Sequence, residues 1–259
     1  MAAVRTEATD GVLEIVLDRP DALNAMNQEL FEDLSAAVEQ AGDPAIRAVL
    51  VRGQGRGFCA GGDIRMFAEL IAKDQPIPLE FPDFLHDIIE RICALPKPVL
   101  AAVHGPCAGA GFSLMLACDL AIAAQSATFP LAYSRIGLSP DGSSSFFLPR
   151  HLGSKRAMEL FLFSDRLDAE EALALGLINR VVPEDELLSR GRQLARALAA
   201  GPTQAFGRLK KLVQVAHGNS LHEQLALESQ YIHESSKTAD FRTGVTAFLG
   251  KQKPVFTGE

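Results

Sequence analysis

Cysteine is scarce and badly spaced for ligation: four residues in 259, Cys59, Cys93, Cys107 and Cys118, with no CxxC pair and no histidine pattern nearby. That spacing excludes an ordinary zinc site and a disulfide framework, and it reads as reduced core thiols of an intracellular, cytoplasmic protein. Positive charge is also in deficit. Against 32 Asp+Glu stand 25 Lys+Arg, a net charge of −7. This argues against general nucleic-acid binding and against attachment to an anionic membrane. It leaves room for a local basic pocket facing a phosphorylated ligand. Met1 to Glu7 includes an acid and no apolar run, so no signal peptide is expected. The histidines (His86, His104, His151, His217, His222 and His233) form neither HxxxH nor HExxH. Surface or packing roles are expected of them rather than metal ligation.

Other familiar signatures fail in detail. Gly53-Gln54-Gly55-Arg56-Gly57-Phe58 follows a strand, but Phe58 stands where GxGxxG needs its third glycine, and another turn precedes any helix. No Gly-Lys-Ser/Thr follows, which removes a phosphate loop. Gly111-Phe112-Ser113-Leu114-Met115 is half a nucleophile elbow, with Met115 in place of the second glycine. Ser113 therefore reads as a small helix residue facing a pocket. The apolar run from Pro98 to Ala124 has the length of a membrane span. Gly105, Pro106, Gly109, Gly111 and Asp119 break it into strand, helix and strand, so buried core is expected.

What is present describes an ordinary globular chain, 47% hydrophobic and 22% charged, long enough for one large core or a core with a small appendage. Val4–Ala8, a turn at Asp10-Gly11 and Val12–Leu17 predict a hairpin. Asn27 caps a predicted helix with apolar face Leu30, Phe31, Leu34, Ala37, Val38 and Ala41. Strands at Arg47–Arg52, Pro98–Val103 and Leu120–Ala124 alternate with helices at Met66–Ala72, Phe84–Ala94 (face Phe84, Ile88, Ile89, Ile92) and up to Ala117. Such alternation predicts α/β layering. Beyond Gly153 helical patterns dominate: Lys155–Phe163, Ala169–Leu175, Glu184–Ala199, Thr203–Ala216, Ser220–Ser235 behind a Ser220–Glu223 capping box, and Asp240–Leu249 before a basic tail. A boundary at Gly201-Pro202 divides a core, residues 1–200, from a helical region, 201–259.

Two small-residue turns stand out. Phe58-Cys59-Ala60-Gly61-Gly62-Asp63-Ile64 and Val103-His104-Gly105-Pro106-Cys107-Ala108-Gly109-Ala110-Gly111 each join a strand to a helix. Turns without bulky side chains can bring two backbone N–H groups to one point, which is what a developing oxyanion needs. This pairing points to carbonyl chemistry. A third feature is Asp141, in the turn Pro140-Asp141-Gly142-Ser143. On local chemistry alone it reads as a turn aspartate capping the helix that follows.

Together these residues resemble the crotonase (enoyl-CoA hydratase/isomerase) superfamily over nearly the whole chain. Leu17-Asp18-Arg19-Pro20 with Ala22-Leu23-Asn24-Ala25 resembles its first coenzyme A contact, and Cys118 to Ala123 and Leu148 to Gly153 also fit. The resemblance implies an α/β fold, a spiral of ββα units with a helical C-terminal trimerisation region, assembled as a homotrimer or a dimer of trimers. It implies an acyl-CoA thioester substrate and no cofactor beyond it, neither metal nor redox group. It makes Gly62 and Ala110 N–H the oxyanion donors. Ala22, Leu23, Ala60, Gly61, Asp63, Ile64, Ser113 and Tyr133 become substrate or coenzyme A contacts, with Phe248 and Lys251 contributing from the C-terminal region, commonly of a neighbouring subunit.

The departures from that pattern carry the functional argument. A typical hydratase places two glutamates around a water, at the positions where this chain has Ser113 and Tyr133. Asp141 offers the replacement. Pro140-Asp141-Gly142-Ser143-Ser144 resembles the Pro-Glu-Gly-x-Ser run of peroxisomal-type 3-enoyl-CoA isomerases, and the Pro-Asp-x-Gly run of isomerases that rearrange a ring epoxide in bacterial phenylacetate degradation. The resemblance thus makes Asp141 the base of an enoyl-CoA isomerase acting in fatty-acid or related lipid metabolism. A working base at neutral pH calls for apolar surroundings, which Phe129, Leu131, Ile136, Leu138, Phe146 and Phe147 offer. The alternatives are an enoyl-CoA hydratase or other water-using acyl-CoA chemistry, a ring-epoxide phenylacetyl-CoA isomerase, and a non-catalytic acyl-CoA-binding relative.

Overall fold

A computed structural model describes residues 2–259. Asp10 and Gly11 both take positive φ (54° and 75°), the twist a tight hairpin needs. They join β1 (Val4–Thr9) to its antiparallel partner β2 (Val12–Leu17). Asn27 accepts a hydrogen bond from Leu30 N–H (3.0 Å) and starts α1 (Gln28–Gln40), whose predicted apolar face is buried. Then come β3 (Ala48–Gly53), α2 (Ile64–Ala72), α3 (Glu80–Ala94), β4 (Val99–Val103), α4 (Ala110–Ala117) and β5 (Leu120–Ala124). They are followed by β6 (Thr128–Phe129), α5 (Ser144–Phe163), β7 (Leu167–Asp168), α6 (Ala169–Ala174), β8 (Arg180–Val182) and α7 (Leu187–Ala199). The last elements are α8 (Thr203–Val215), α9 (Leu221–Ser235) and α10 (Ala239–Leu249).

One sheet has the order β1-β2-β3-β4-β5-β8 and is parallel apart from the edge hairpin. Alternate side chains serve two cores. Leu13, Ile15, Val49, Val51, Ala101 and Val103 pack with α1, α3 and α4. Val12, Leu50, Leu100, Ala102 and Ile122 pack under α7 through Leu187, Ala195 and Ala199. Strands covered on both faces need no polar alternation, which is why these read as continuous apolar runs.

Past the central strands the chain bends into a second, shorter ladder. Met26 bridges Gly62, Cys59 bridges Cys107, Pro106 bridges Thr128, and β6 pairs with β7. Strand, bridging segment and helix thus recur as ββα units, each stacked on the next. That stacking lays the turn after β3 directly on the turn after β4.

Two expectations change. Phe84 is 44% exposed, and Leu85 takes its place on the buried face of α3 with Ile88, Ile89 and Ile92. Phe84 instead stacks on Phe31 at 6.2 Å. The helix expected at Lys155–Phe163 is the second half of α5, interrupted at Gly153 (φ 75°, ψ 161°). Strands β6, β7 and β8 are too short for any periodicity to announce them. The C-terminal helices are tied to the core by Lys210 Nζ, which donates to Asp119 and to Ile92 O (both 2.9 Å), and by Arg47, which donates to Gly201 O (2.6 Å) and Phe256 O (3.0 Å). Among the described residues no helix is long and apolar enough to cross a membrane.

Candidate active site

The first turn is built by Asn24, buried completely. Its Nδ2 donates to Gln54 O, Gly57 O (both 2.9 Å) and Phe58 O (3.1 Å), while its Oδ1 accepts from Arg19 N–H (2.8 Å). Ala60 N–H donates to Leu23 O (3.0 Å), so the Ala22–Leu23 segment lies against the turn. Asn24→Ala is predicted to lower stability by about 2 kcal/mol, because buried carbonyls lose their donor. Urea unfolding of the two proteins checks it.

The bridge to Met26 uses Gly61 O and Asp63 N–H (2.7 and 2.9 Å). In such a bridge the intervening amide faces away from the partner strand, and Gly62 N–H has no acceptor among the described residues. Gly61 adopts φ +92°, and a methyl built there would lie 2.9 Å from Ala108 O and 3.4 Å from Ala110 N. Only glycine permits both that conformation and that approach. The second turn enters α4, a helix buried on every side, with no side-chain cap. Ala110 N–H, at its first position, likewise has no acceptor among the described residues, as a helix N-terminus leaves it. The two amides proposed by sequence are thus uncommitted, on abutting turns.

Asp141 comes to the same place. A methyl built at Gly109 would sit 3.8 Å from Tyr133 Cζ and 3.9 Å from Gly61 Cα. Tyr133 Oη donates to Asp141 Oδ1 (2.6 Å), and Ser113 Oγ donates to the Asp141 carbonyl (3.1 Å). Ser113 Oγ is also 3.4 Å from Tyr133 Oη. Gly142, at φ +59°, is wedged between Leu85 of α3 and Ser113 of α4, where a methyl would meet atoms at 2.8 and 2.9 Å. Its N–H donates to His86 Nε2 (3.3 Å). Burial, aided by the Asp141 charge, pushes the Tyr133 phenol up, so it stays a neutral donor. Burial likewise pushes the Cys59 thiol up to about 12, which leaves it inert in the middle of the first turn.

The helix-cap reading of Asp141 is corrected. Ser143 occupies the cap position of α5, at φ 78° and with no side-chain cap bond, while the Asp141 carboxylate turns to Tyr133. The apolar surroundings are corrected too: Ile136 (51%), Leu138 (37%) and Phe146 (49%) are exposed, although Phe129 and Leu131 are buried. Asp63 spends its carboxylate on structure, accepting from Arg65 N–H (3.1 Å) at the start of α2 and from Arg19 (3.0 Å). Ile64 is exposed beside it. Phe248 lies within the C-terminal segment of this chain. Phe248 is 83% exposed, at a groove lined entirely from the C-terminal segment, Ala205, Phe241, Val245 and Phe256 among its walls. Sequence reading missed the parts played by Asn24 and His86, whose partners lie 30 to 34 and 56 residues away, beyond any local pattern. Among the described residues no three His, Cys, Asp or Glu side chains gather as a metal site.

Residues 7–259 match the model of the enoyl-CoA hydratase/isomerase family. A Rhodobacter capsulatus protein named "probable enoyl-CoA hydratase" is 42% identical over 98% of both chains. The 1,2-epoxyphenylacetyl-CoA isomerase of Escherichia coli is 40% identical over the full length of both. The crystal structure of an enoyl-CoA hydratase from Polaromonas sp. JS666 superposes with a TM-score of 0.93 at 35% identity, covering 98% of this chain and 99% of that one.

Proposed function

The chain belongs to the enoyl-CoA hydratase/isomerase family, and on that footing we propose that it is an isomerase that shifts a double bond in an enoyl-CoA by means of one base, Asp141. One observation carries this reading. The two positions where a hydratase would hold water-activating glutamates carry hydroxyls here, Ser113 and Tyr133, and both are bonded to Asp141. The site therefore offers one carboxylate in place of two. Isomerisation asks for no more: the base takes a proton from C2 of a 3-enoyl thioester, electrons move onto the thioester oxygen, and the same group returns the proton at C4. Gly62 and Ala110 N–H bond that oxygen more strongly as it gains charge, which is differential stabilisation. No electrons leave or enter, so the step requires no redox cofactor. Phe67 of α2 lies against Gly62, and in this proposal it bounds the acyl group.

The test is incubation with 3-hexenoyl-CoA and 2-hexenoyl-CoA in heavy water, followed by mass and ultraviolet absorbance. Conversion of the 3-enoyl to the 2-enoyl isomer supports the reading; addition of a hydroxyl as the main product overturns it. The full-length identity to the Escherichia coli protein favours a second reading, a ring epoxide on the acyl group as substrate. Fast turnover of such a thioester beside slow turnover of 3-hexenoyl-CoA selects it.

The helical C-terminal region serves, in the same proposal, as a trimer interface that carries Phe248 and Lys251 to a neighbour's coenzyme A. Apolar side chains exposed on it support this: Val213 (65%), Leu221 (74%) and Ile232 (73%). Sedimentation is expected to give three times, or six times, the 27.8 kDa of the chain. A monomer at micromolar concentration contradicts it.

A further inference from the structure

Tyr133 has a place but no task in the reaction as written. Its phenol is buried, its proton goes to Asp141 Oδ1 at 2.6 Å, and its ring lies against Gly109, one residue before the oxyanion donor Ala110. We infer that Tyr133 is the positioning residue of the proton transfer: by occupying Oδ1 it fixes the carboxylate plane and leaves Oδ2 as the single oxygen that takes and returns the proton. The inference rests on the isomerase reading and deepens it.

Three features support it. An aspartate side chain on a loop rotates freely about χ1 and χ2 unless something holds it, and a base misplaced by an ångström loses much of its effect. The backbone of this loop is held from both sides, by Ser113 Oγ on the Asp141 carbonyl and by His86 Nε2 on Gly142 N–H. Neither of those bonds touches the carboxylate. Tyr133 is, among the described residues, the one hydrogen-bond partner of the Asp141 carboxylate. A charge-assisted bond of this length is among the stronger ones a neutral donor makes. Burial and the neighbouring charge both oppose loss of the phenolic proton, so the donor persists across the pH range in which the carboxylate acts as a base.

The chain has two tyrosines and no tryptophan, which makes the test direct. Protein labelled with carbon-13 at tyrosine Cζ gives two resonances, those of Tyr133 and Tyr231. Asp141→Asn should move the Tyr133 resonance and leave that of Tyr231 in place; an unmoved pair overturns the inference. In kinetics with 3-hexenoyl-CoA, Tyr133→Phe should lower kcat by about ten- to a hundred-fold, the usual weight of a hydrogen bond to a charged group, with KM held within about threefold. A variant with kcat within about twofold of the parent overturns the inference while leaving the isomerase reading intact. The converse failure is separable. Exchange of the C2 hydrogens of hexanoyl-CoA with heavy water needs the base but no double bond. If the parent exchanges them, Tyr133→Phe slows that exchange, and no enoyl-CoA is isomerised, the isomerase reading falls and the positioning role stands. A parent protein that does neither overturns both.

Discussion

Asp141→Asn is expected to lower kcat for isomerisation of 3-hexenoyl-CoA by about 10²- to 10⁴-fold, the usual contribution of a positioned acid–base group. The substitution is well suited to its purpose. Asparagine keeps the shape of the side chain and an oxygen that can accept from Tyr133 Oη, while Ser113 bonds the main-chain carbonyl and is indifferent to the side chain. The loop should therefore hold its course, and the melting temperature should fall by no more than a few degrees. What disappears is the ability to carry a proton. Loss of turnover with thioester binding retained assigns the base. Unchanged isomerisation places the base elsewhere, and hydration that survives the substitution means the wrong reaction class has been assigned. The contrast with Tyr133→Phe is informative, because one variant removes the proton carrier and the other only its orientation, and the expected losses differ accordingly.

Most of the main chain was legible because the signals are local. The hairpin turn at Asp10-Gly11, the Asn27 cap and the apolar face of α1 lie within one element or one turn, and they fold as their spacing dictates. The two small-residue turns were legible for the same reason: a run of small residues between a strand and a helix marks a tight turn, and each one joins a strand to a helix here. The short strands β6, β7 and β8 were not, since two or three residues carry no period. In α3 the pattern admitted two faces one residue apart, and packing of Leu85 beneath the Gly142 loop settles which is buried.

The chemistry of the site was legible only in part. Asp141 in a Pro-Asp-Gly-Ser turn has the local chemistry of a cap, and resemblance alone recommended it as a base. The fold decides against the cap by giving the cap position to Ser143 and aiming the carboxylate at Tyr133. The groups that hold the site, Asn24 on three carbonyls of the first turn and His86 on the Gly142 amide, act across the stacking of one ββα unit on another. Such contacts have no spacing rule, because the ladder that creates them is itself tertiary.

Ala110→Pro is expected to cost about 10²- to 10³-fold in kcat, the typical effect of losing one oxyanion donor, at little expense in stability. A backbone donor cannot be removed by truncating a side chain, and the choice of residue matters. At Gly62 a proline would push against Phe67, since even a methyl there would lie 2.8 Å from its ring; lost activity would then mix the missing N–H with a displaced Phe67. Ala110 is the first residue of α4, the one helical position where proline is favoured and where the missing N–H breaks no helical bond. Proline also restricts the residue before it to extended conformations. Gly109 has φ 49° and ψ −121°, the mirror image of an extended residue, which glycine adopts without penalty. Ala110→Gly is the matched control, keeping the N–H while removing the methyl, and it should retain most of the activity. If Ala110→Pro folds and turns over normally, the thioester oxygen is held elsewhere and the abutting turns serve packing alone. If it folds, binds the thioester and fails in turnover, while Asp141→Asn fails alongside it, the charge that Asp141 creates by taking the proton is the charge that the Ala110 amide stabilises.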